Sequence, residues 1–468
     1  MNKEDLCFTS ATELAQAIRD KSLSPVEIAE AILEKIETTN PKVNAFCTLL
    51  PDQTMDEARK AEKAVMEGAT LGPLHGVPYS VKDLVYTKGI RTMRGSAIFQ
   101  DYVPEEDAVA SERMRMAGGV FLGKTTTPEL GWKGVTDSPV TGITRNPWNL
   151  DRTPGGSSGG ASAQVAAGMG PLAIGTDGGG SIRIPAGFTG IYGLKPTSGR
   201  VPVYPASVFA TLSHVGPMTR TVADGALMLA ALAGPDPRDR YSLESSPEDY
   251  VGKLQNGIKG LKVGWSPDLG YARVEPEVAT IAAQAAQAFE SLGCTVDEIR
   301  PEFEDPTETF MVHWQSACAG SLGHLLPQWA EKMDPGLVEA AENGLKYSAA
   351  ELVAAQMKRH EHYNHVRRYF ENYDLLLTPT LAVLPFEVGL LRPPGRENDD
   401  MAWALWTPFT YPFNLAPNPA ATVPAGLSES GLPVGLQIVG KRFADLTVLQ
   451  ASAAFEKARP WAHLRPNL

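Results

Sequence analysis

A chain of 468 residues has ample material for a large core, and at roughly 150 residues per domain its length allows up to about three domains. Its composition, 43% hydrophobic and 21% charged, is that of an ordinary soluble globular protein. A net charge of −12, with no basic run, argues against nucleic acid or an anionic membrane surface as a partner.

The first residues, Met1-Asn2-Lys3-Glu4-Asp5, carry acids and lack the apolar stretch of a signal peptide, so a cytoplasmic location is expected. No apolar run reaches the roughly 18 residues of a membrane span. Two capping boxes follow, Ser10-x-x-Glu13 and Ser24-Pro25-Val26-Glu27, each predicting a helix start. The second helix is expected to stop at Asn40-Pro41. A third covers roughly 52–67. Gly76-Val77-Pro78-Tyr79-Ser80-Val81-Lys82-Asp83 reads as a short strand ending in charge. A helix is expected over 107–118 and a buried strand at Val120-Phe121-Leu122-Gly123-Lys124. Within the glycine- and serine-rich region 152–200, residues 161–168 read as a helix and Leu172-Ala173-Ile174-Gly175 as a strand. Helices are expected over 221–233, 275–292, 338–370 and 445–458. Strands are expected at 261–265, at 374–378, and as a neighbouring pair at 421–424 and 433–440. Residues 235–255, with Ser-Ser-Pro at 245–247, read as an exposed connection. Helices alternating with strands predict an α/β fold. Cys7, Cys47, Cys294 and Cys318 are scattered without C-x-x-C, which favours free thiols over a zinc site or a disulfide framework.

Two glycine-rich turns stand out: Thr153-Pro154-Gly155-Gly156-Ser157-Ser158-Gly159-Gly160 and Gly175-Thr176-Asp177-Gly178-Gly179-Gly180-Ser181-Ile182-Arg183-Ile184-Pro185. A flexible linker fits badly, because apolar segments lie between and after them. Neither turn matches a phosphate-binding pattern. Gly155-Gly156-Ser157-Ser158-Gly159 satisfies G-x-S-x-G, the nucleophile elbow, which also requires an acid and a downstream histidine. Histidines do follow, from His214 to His463, but none sits in an obvious catalytic context.

The two turns, together with Gly193-Leu194-Lys195-Pro196-Thr197 and the upstream lysine motif at 76–83, resemble the amidase signature family. The resemblance covers nearly the whole chain and is strongest over 72–222, the signature core. It implies a single domain with a central mixed, mostly parallel twisted sheet covered by helices on both faces. It also implies a serine amidohydrolase that needs no metal or cofactor. Ser181 is then the nucleophile, Ser157 the proton relay and Lys82 the base, with the Gly156–Ser157 peptide cis. The amides of Gly178, Gly179, Gly180 and Ser181 form the oxyanion hole. A serine hydroxyl needs an adjacent base, and a lysine serves only when burial keeps it neutral. Ser158, Asp177 and Arg183 are expected to support these groups, the last two as structural partners.

The resemblance places Thr126, Gly131 and Trp132 at the acyl pocket and variable substrate contacts in 300–415, which carries Trp314, Trp329, Trp403, Trp406, Phe409 and Tyr411. The expected substrate is a small carboxylic amide, anilide or carbamate with an aromatic or bulky apolar group, handled by a monomer or homo-oligomer. A second candidate in the family is the glutamine-hydrolysing subunit of a tRNA-dependent amidotransferase. That subunit usually has an acid just before F-T-x-P-x-N-L, where this chain has Thr407-Pro408-Phe409-Thr410-Tyr411-Pro412-Phe413-Asn414-Leu415. A non-catalytic binding protein on the same fold would be expected to lack one of Lys82, Ser157 and Ser181, and all are present.

Overall fold

Among the described residues, thirteen strands run in chain order as β1 (Phe46–Leu49), β2 (Pro78–Lys82), β3 (Val120–Thr125), β4 (Asp137–Ser138), β5 (Gly142–Ile143), β6 (Leu172–Asp177), β7 (Tyr192–Lys195), β8 (His214–Thr219), β9 (Lys262–Trp265), β10 (Thr295–Glu298), β11 (Leu375–Pro379), β12 (Ala420–Leu427) and β13 (Pro433–Gly440). All but the small β4–β5 hairpin join one sheet in the order β1-β3-β2-β6-β8-β7-β12-β13-β11-β9-β10. The structure, a computed structural model, describes residues 2–244, 248–396 and 403–468. The Ser-Ser-Pro at 245–247, and 397–402 of the expected variable segment, lie outside the described residues.

The sheet is mixed, but less parallel than expected. Parallel pairing is confined to β2 with β3 and β6, and to β9 with β10 and β11. The centre, from β6 through β8, β7, β12 and β13 to β11, is antiparallel, as is β1 on β3. The reason is partly local: β12 returns directly as β13 through a tight turn closed by Ser428 and Leu432, a connection only antiparallel strands can use. The two-residue period sorts the core. Leu375 and Leu377 face one apolar cluster with the helices Pro276–Ser291 and Asp445–Ala458, while Leu376 faces another with Phe310, Trp314 and Leu337. Both faces are covered, which is why β11 reads as an unbroken leucine run.

Both capping boxes form as expected. The second helix continues through Pro41 to Val43 and ends at Asn44 in the left-handed conformation. The expected helix at 338–370 is two, Pro335–Gly344 and Ala349–Asn372, because Ser348 and Glu351 form a third capping box that restarts the chain. Central strands β7 and β8 carry no clear sequence signal; Gly216 and Pro217 interrupt β8, yet it is buried throughout between β6 and β7. No helix among the described residues is long and apolar enough to cross a membrane. The four cysteines are free.

Parallel strands end on the same edge of a sheet, and such edges are where α/β folds place their ligand crevices. β2 and β6 are parallel neighbours in the register Val81 to Ile174. Lys82 at the end of β2 therefore comes beside Thr176, and the loops leaving β6 carry Ser181 to the same place.

Candidate active site

Lys82 is wholly buried. Its Nζ lies 2.7 Å from Ser157 Oγ, 2.9 Å from Ser158 Oγ and 2.9 Å from Thr176 Oγ1. All three partners are hydroxyls and none is a carboxylate. Burial pushes its pKa well below the ordinary lysine value; the charge of Asp177 opposes this and is the smaller effect. The neutral amine has two N–H donors and one lone pair. Ser158 Oγ directs its proton to the Thr176 carbonyl, 3.1 Å away, so it accepts from Lys82. One N–H and the lone pair remain for Thr176 and Ser157, which leaves the Ser157 hydroxyl able to donate to the amine.

Ser157 precedes the helix Gly159–Ala166, and the Gly156–Ser157 peptide is cis. The Ser158 amide donates to the Ser181 carbonyl at 3.2 Å, which ties the two glycine-rich turns together. Ser181 itself is 4% exposed, at the floor of a cleft.

The turn that carries Ser181 is held from below by a carboxylate. Asp177 Oδ1 accepts from the Gly180 amide at 2.8 Å, and Oδ2 from the Ile182 amide at 3.2 Å. Arg183 grips the same carboxylate through Nε and Nη2, each at 2.9 Å. The guanidinium also donates to the Thr410 carbonyl, Gln437 Oε1 and Asn414 Oδ1. Burial alone would raise the Asp177 pKa, but Arg183 outweighs it and holds the carboxyl well below its usual range. Gly180 has φ 130°, and a Cβ there would stand 2.4 Å from Thr410 Oγ1, so only glycine fits.

This arrangement corrects the expected oxyanion hole. The Gly180 amide is committed to Asp177 and does not face a substrate. The amides of Gly178, Gly179 and Ser181 donate to no acceptor among the described residues, and remain free for one. Thr410 Oγ1 donates to the Gly179 carbonyl at 2.7 Å and fixes that peptide.

The cleft above Ser157 and Ser181 is lined by Leu84, Tyr86, Gly131, Tyr204, Phe209 and Trp314 among others. Phe209 stacks on Trp314 with centroids 3.8 Å apart, giving it an aromatic wall. Gly131 is among the cleft-lining residues: a Cβ on it would come within 3.1 Å of Ser157 Oγ. Thr126 and Trp132 are not. Beyond the end of β3, Thr126 turns inward and bonds Thr144 Oγ1 at 2.6 Å, with its amide on the Ala45 carbonyl. The Trp132 ring packs against Gly336, and its carbonyl accepts from Trp314 Nε1 at 3.1 Å, so it reaches the cleft only through that second tryptophan. Of the aromatics in 300–415, Trp314 lines the cleft, while Trp403, Trp406, Phe409 and Tyr411 are core.

Thr176, Thr410 and Asn414 stand in the motifs above and Gln437 in the strand expected at 433–440, none of them with an expected role. Their signal was membership in those motifs; the contacts that use them span up to 254 residues of chain. Residues 202–209, one wall of the cleft, left no local signal. His214 also lines the cleft, but its Nδ1 is on the Leu212 carbonyl at 2.8 Å, and burial, then Lys195, depresses its pKa well below the usual value. No histidine among the described residues hydrogen-bonds Ser157 or Ser181, which removes the support for a nucleophile elbow. No group of three or more His, Cys, Asp or Glu among the described residues forms a metal cage.

The chain is similar to known proteins along nearly its whole length. A family model described as amidase matches residues 27–449. An acylamidase of Rhodococcus erythropolis is 41% identical, over 100% of this chain and 98% of its own length. A glutamyl-tRNA(Gln) amidotransferase subunit from Moorella thermoacetica is 37% identical, over 99% of both chains. The crystal structure of a bacterial aryl acylamidase of the amidase signature family superposes with a TM-score of 0.91, at 34% identity over 97% of both chains.

Proposed function

The chain belongs to the amidase family, a hydrolase acting on carbon–nitrogen bonds other than peptide bonds, and from that premise we propose that it cleaves a carboxylic amide, anilide or carbamate through an acyl-Ser181 intermediate. The observation that carries this reading is the buried Lys82, held among three hydroxyls with no carboxylate to keep it charged. Ser181 Oγ attacks the carbonyl carbon. Its proton moves to Ser157 Oγ as the Ser157 proton moves to the Lys82 amine. The oxygen of the tetrahedral intermediate gains negative charge and is met by the free amides of Gly178, Gly179 and Ser181. Loss of one such donor typically lowers the rate about 10²–10³-fold. Collapse breaks the C–N bond, and the departing amine takes the proton back through Ser157. Water then repeats the sequence on the acyl-enzyme and frees Ser181.

Phe209 and Trp314 favour a substrate with an aromatic or bulky apolar group beside the scissile bond. We assign substrate variation to the segment 300–415, of whose described residues Trp314 lines the cleft. A second reading, glutamine hydrolysis for an amidotransferase, draws on the Moorella relative. It is weakened by Pro408, which stands just before Phe409-Thr410 where an acid would hold the glutamine amino group. A panel of anilides, primary amides, aryl carbamates, esters and glutamine separates the two. Release of the arylamine from an anilide or carbamate is expected. Glutamine as the only substrate would replace this reading with the second.

A further inference from the structure

Arg94 lines the same cleft as Ser157 and Ser181. Its backbone is fixed there: its amide donates to the Asp83 carbonyl at 3.1 Å, and its carbonyl accepts from the Leu130 amide at 2.8 Å. Leu130 leads directly into Gly131, which abuts the relay serine. The guanidinium carbon sits 4.9 Å from the Tyr86 ring centroid, 4.3 Å from Phe99 and 5.4 Å from Tyr102. Three rings thus box the cation, and they satisfy its charge through their faces and not its N–H groups. Among the described residues the guanidinium makes one hydrogen bond, from Nη2 to the Tyr86 hydroxyl. Nε is enclosed and has no acceptor. Among the described residues Nη1 has no acceptor and no carboxylate lies within ion-pair distance, although the more distant Asp83 acts on its charge.

The contrast with Arg183 is informative. Every nitrogen of that guanidinium has an oxygen partner, including a carboxylate gripped through two of them. Arg94 offers five N–H groups, uses one, and stays charged at any working pH. Its position is set by stacked rings and its end is open to a substrate cleft. A planar fork held in that way matches a carboxylate.

We propose that Arg94 is a specificity residue that anchors a carboxylate carried by the substrate, on either the acyl or the amine side of the scissile bond. The inference rests on the amide-hydrolase reading above and names its substrate class more narrowly: an amide with an apolar portion against Phe209 and Trp314 and an acidic group at Arg94.

Two matched pairs of anilides test it. One pair carries a carboxylate or its neutral carboxamide on the acyl chain, and the other carries the same two groups on the aniline ring. In at least one pair the carboxylate form should have a KM about tenfold or more below its neutral partner, the size of a charge-assisted hydrogen bond. Arg94→Met should abolish that advantage, bringing the carboxylate-to-neutral KM ratio of each pair to about one, and Arg94→Lys should keep part of it. Calorimetric binding of the same four compounds to Ser181→Ala reads the preference without turnover. Cleavage of the neutral anilides with no carboxylate advantage in either pair overturns the Arg94 assignment and leaves the hydrolase reading intact. An advantage that survives in Arg94→Met also overturns it. Carboxylate-selective binding to Ser181→Ala with no turnover in the wild type would support Arg94 and count against the hydrolase.

Discussion

Lys82 and Arg183 are both fully buried, the first against Ser157 and the second under the turn that carries Ser181, and they are held in opposite ways. Arg183 meets Asp177 in a two-point ion pair and spends its remaining donors on Thr410, Asn414 and Gln437. Lys82 meets only hydroxyls. A buried charge must be paired or neutralised, and the two residues take one solution each. Pairing makes Arg183 an anchor for the turn that carries Ser181. Neutralisation makes Lys82 a base. Position in a site does not by itself assign chemistry; the partners of the buried cation do.

Substitutions that interchange these solutions break the comparison. The largest effect is expected from Lys82→Met, which fills the space without a basic nitrogen. Its kcat should fall by up to about 10⁴-fold with the fold retained by circular dichroism. Wild-type turnover in that variant would remove Lys82 from the chemistry. Arg183→Met is expected to act on stability first. It leaves Asp177 as an unpaired buried carboxylate, which costs about 3–5 kcal/mol when a buried pair loses one member. The denaturation midpoint should fall accordingly, and an unchanged midpoint would show that Asp177 does not depend on its partner.

Much of this site was legible in the sequence because its residues come in short motifs. Lys82, Ser157, Asp177, Ser181 and Arg183 all sit in runs whose glycines mark tight turns, and the capping boxes at Ser10 and Ser24 fix helix starts locally. What stayed hidden was set by tertiary contact. The Gly180 amide belongs to Asp177 because the carboxylate folds back under its own turn, a geometry that three consecutive glycines do not announce. Thr126 and Trp132 lie in the expected loop, but the chain leaving β3 turns Thr126 toward Ala45 and Thr144 instead of the cleft. β7 and β8 were missed because their place in the sheet comes from neighbours distant in sequence, not from their own alternation. Beyond the β12–β13 hairpin, the antiparallel centre of the sheet pairs strands distant in sequence, which no local pattern encodes.

The central claim is that Lys82 is neutral when it works, and the pH dependence of kcat/KM tests it most directly. Burial, only partly opposed by Asp177, lowers its pKa, so the reactive amine is lost as pH falls through that lowered value and is fully present above it. On a neutral anilide, kcat/KM should rise with pH through a single protonation and level off, while the enzyme remains folded throughout. Undiminished activity at about pH 4, below the values of about 5–6 documented for buried lysines, would contradict a lysine base.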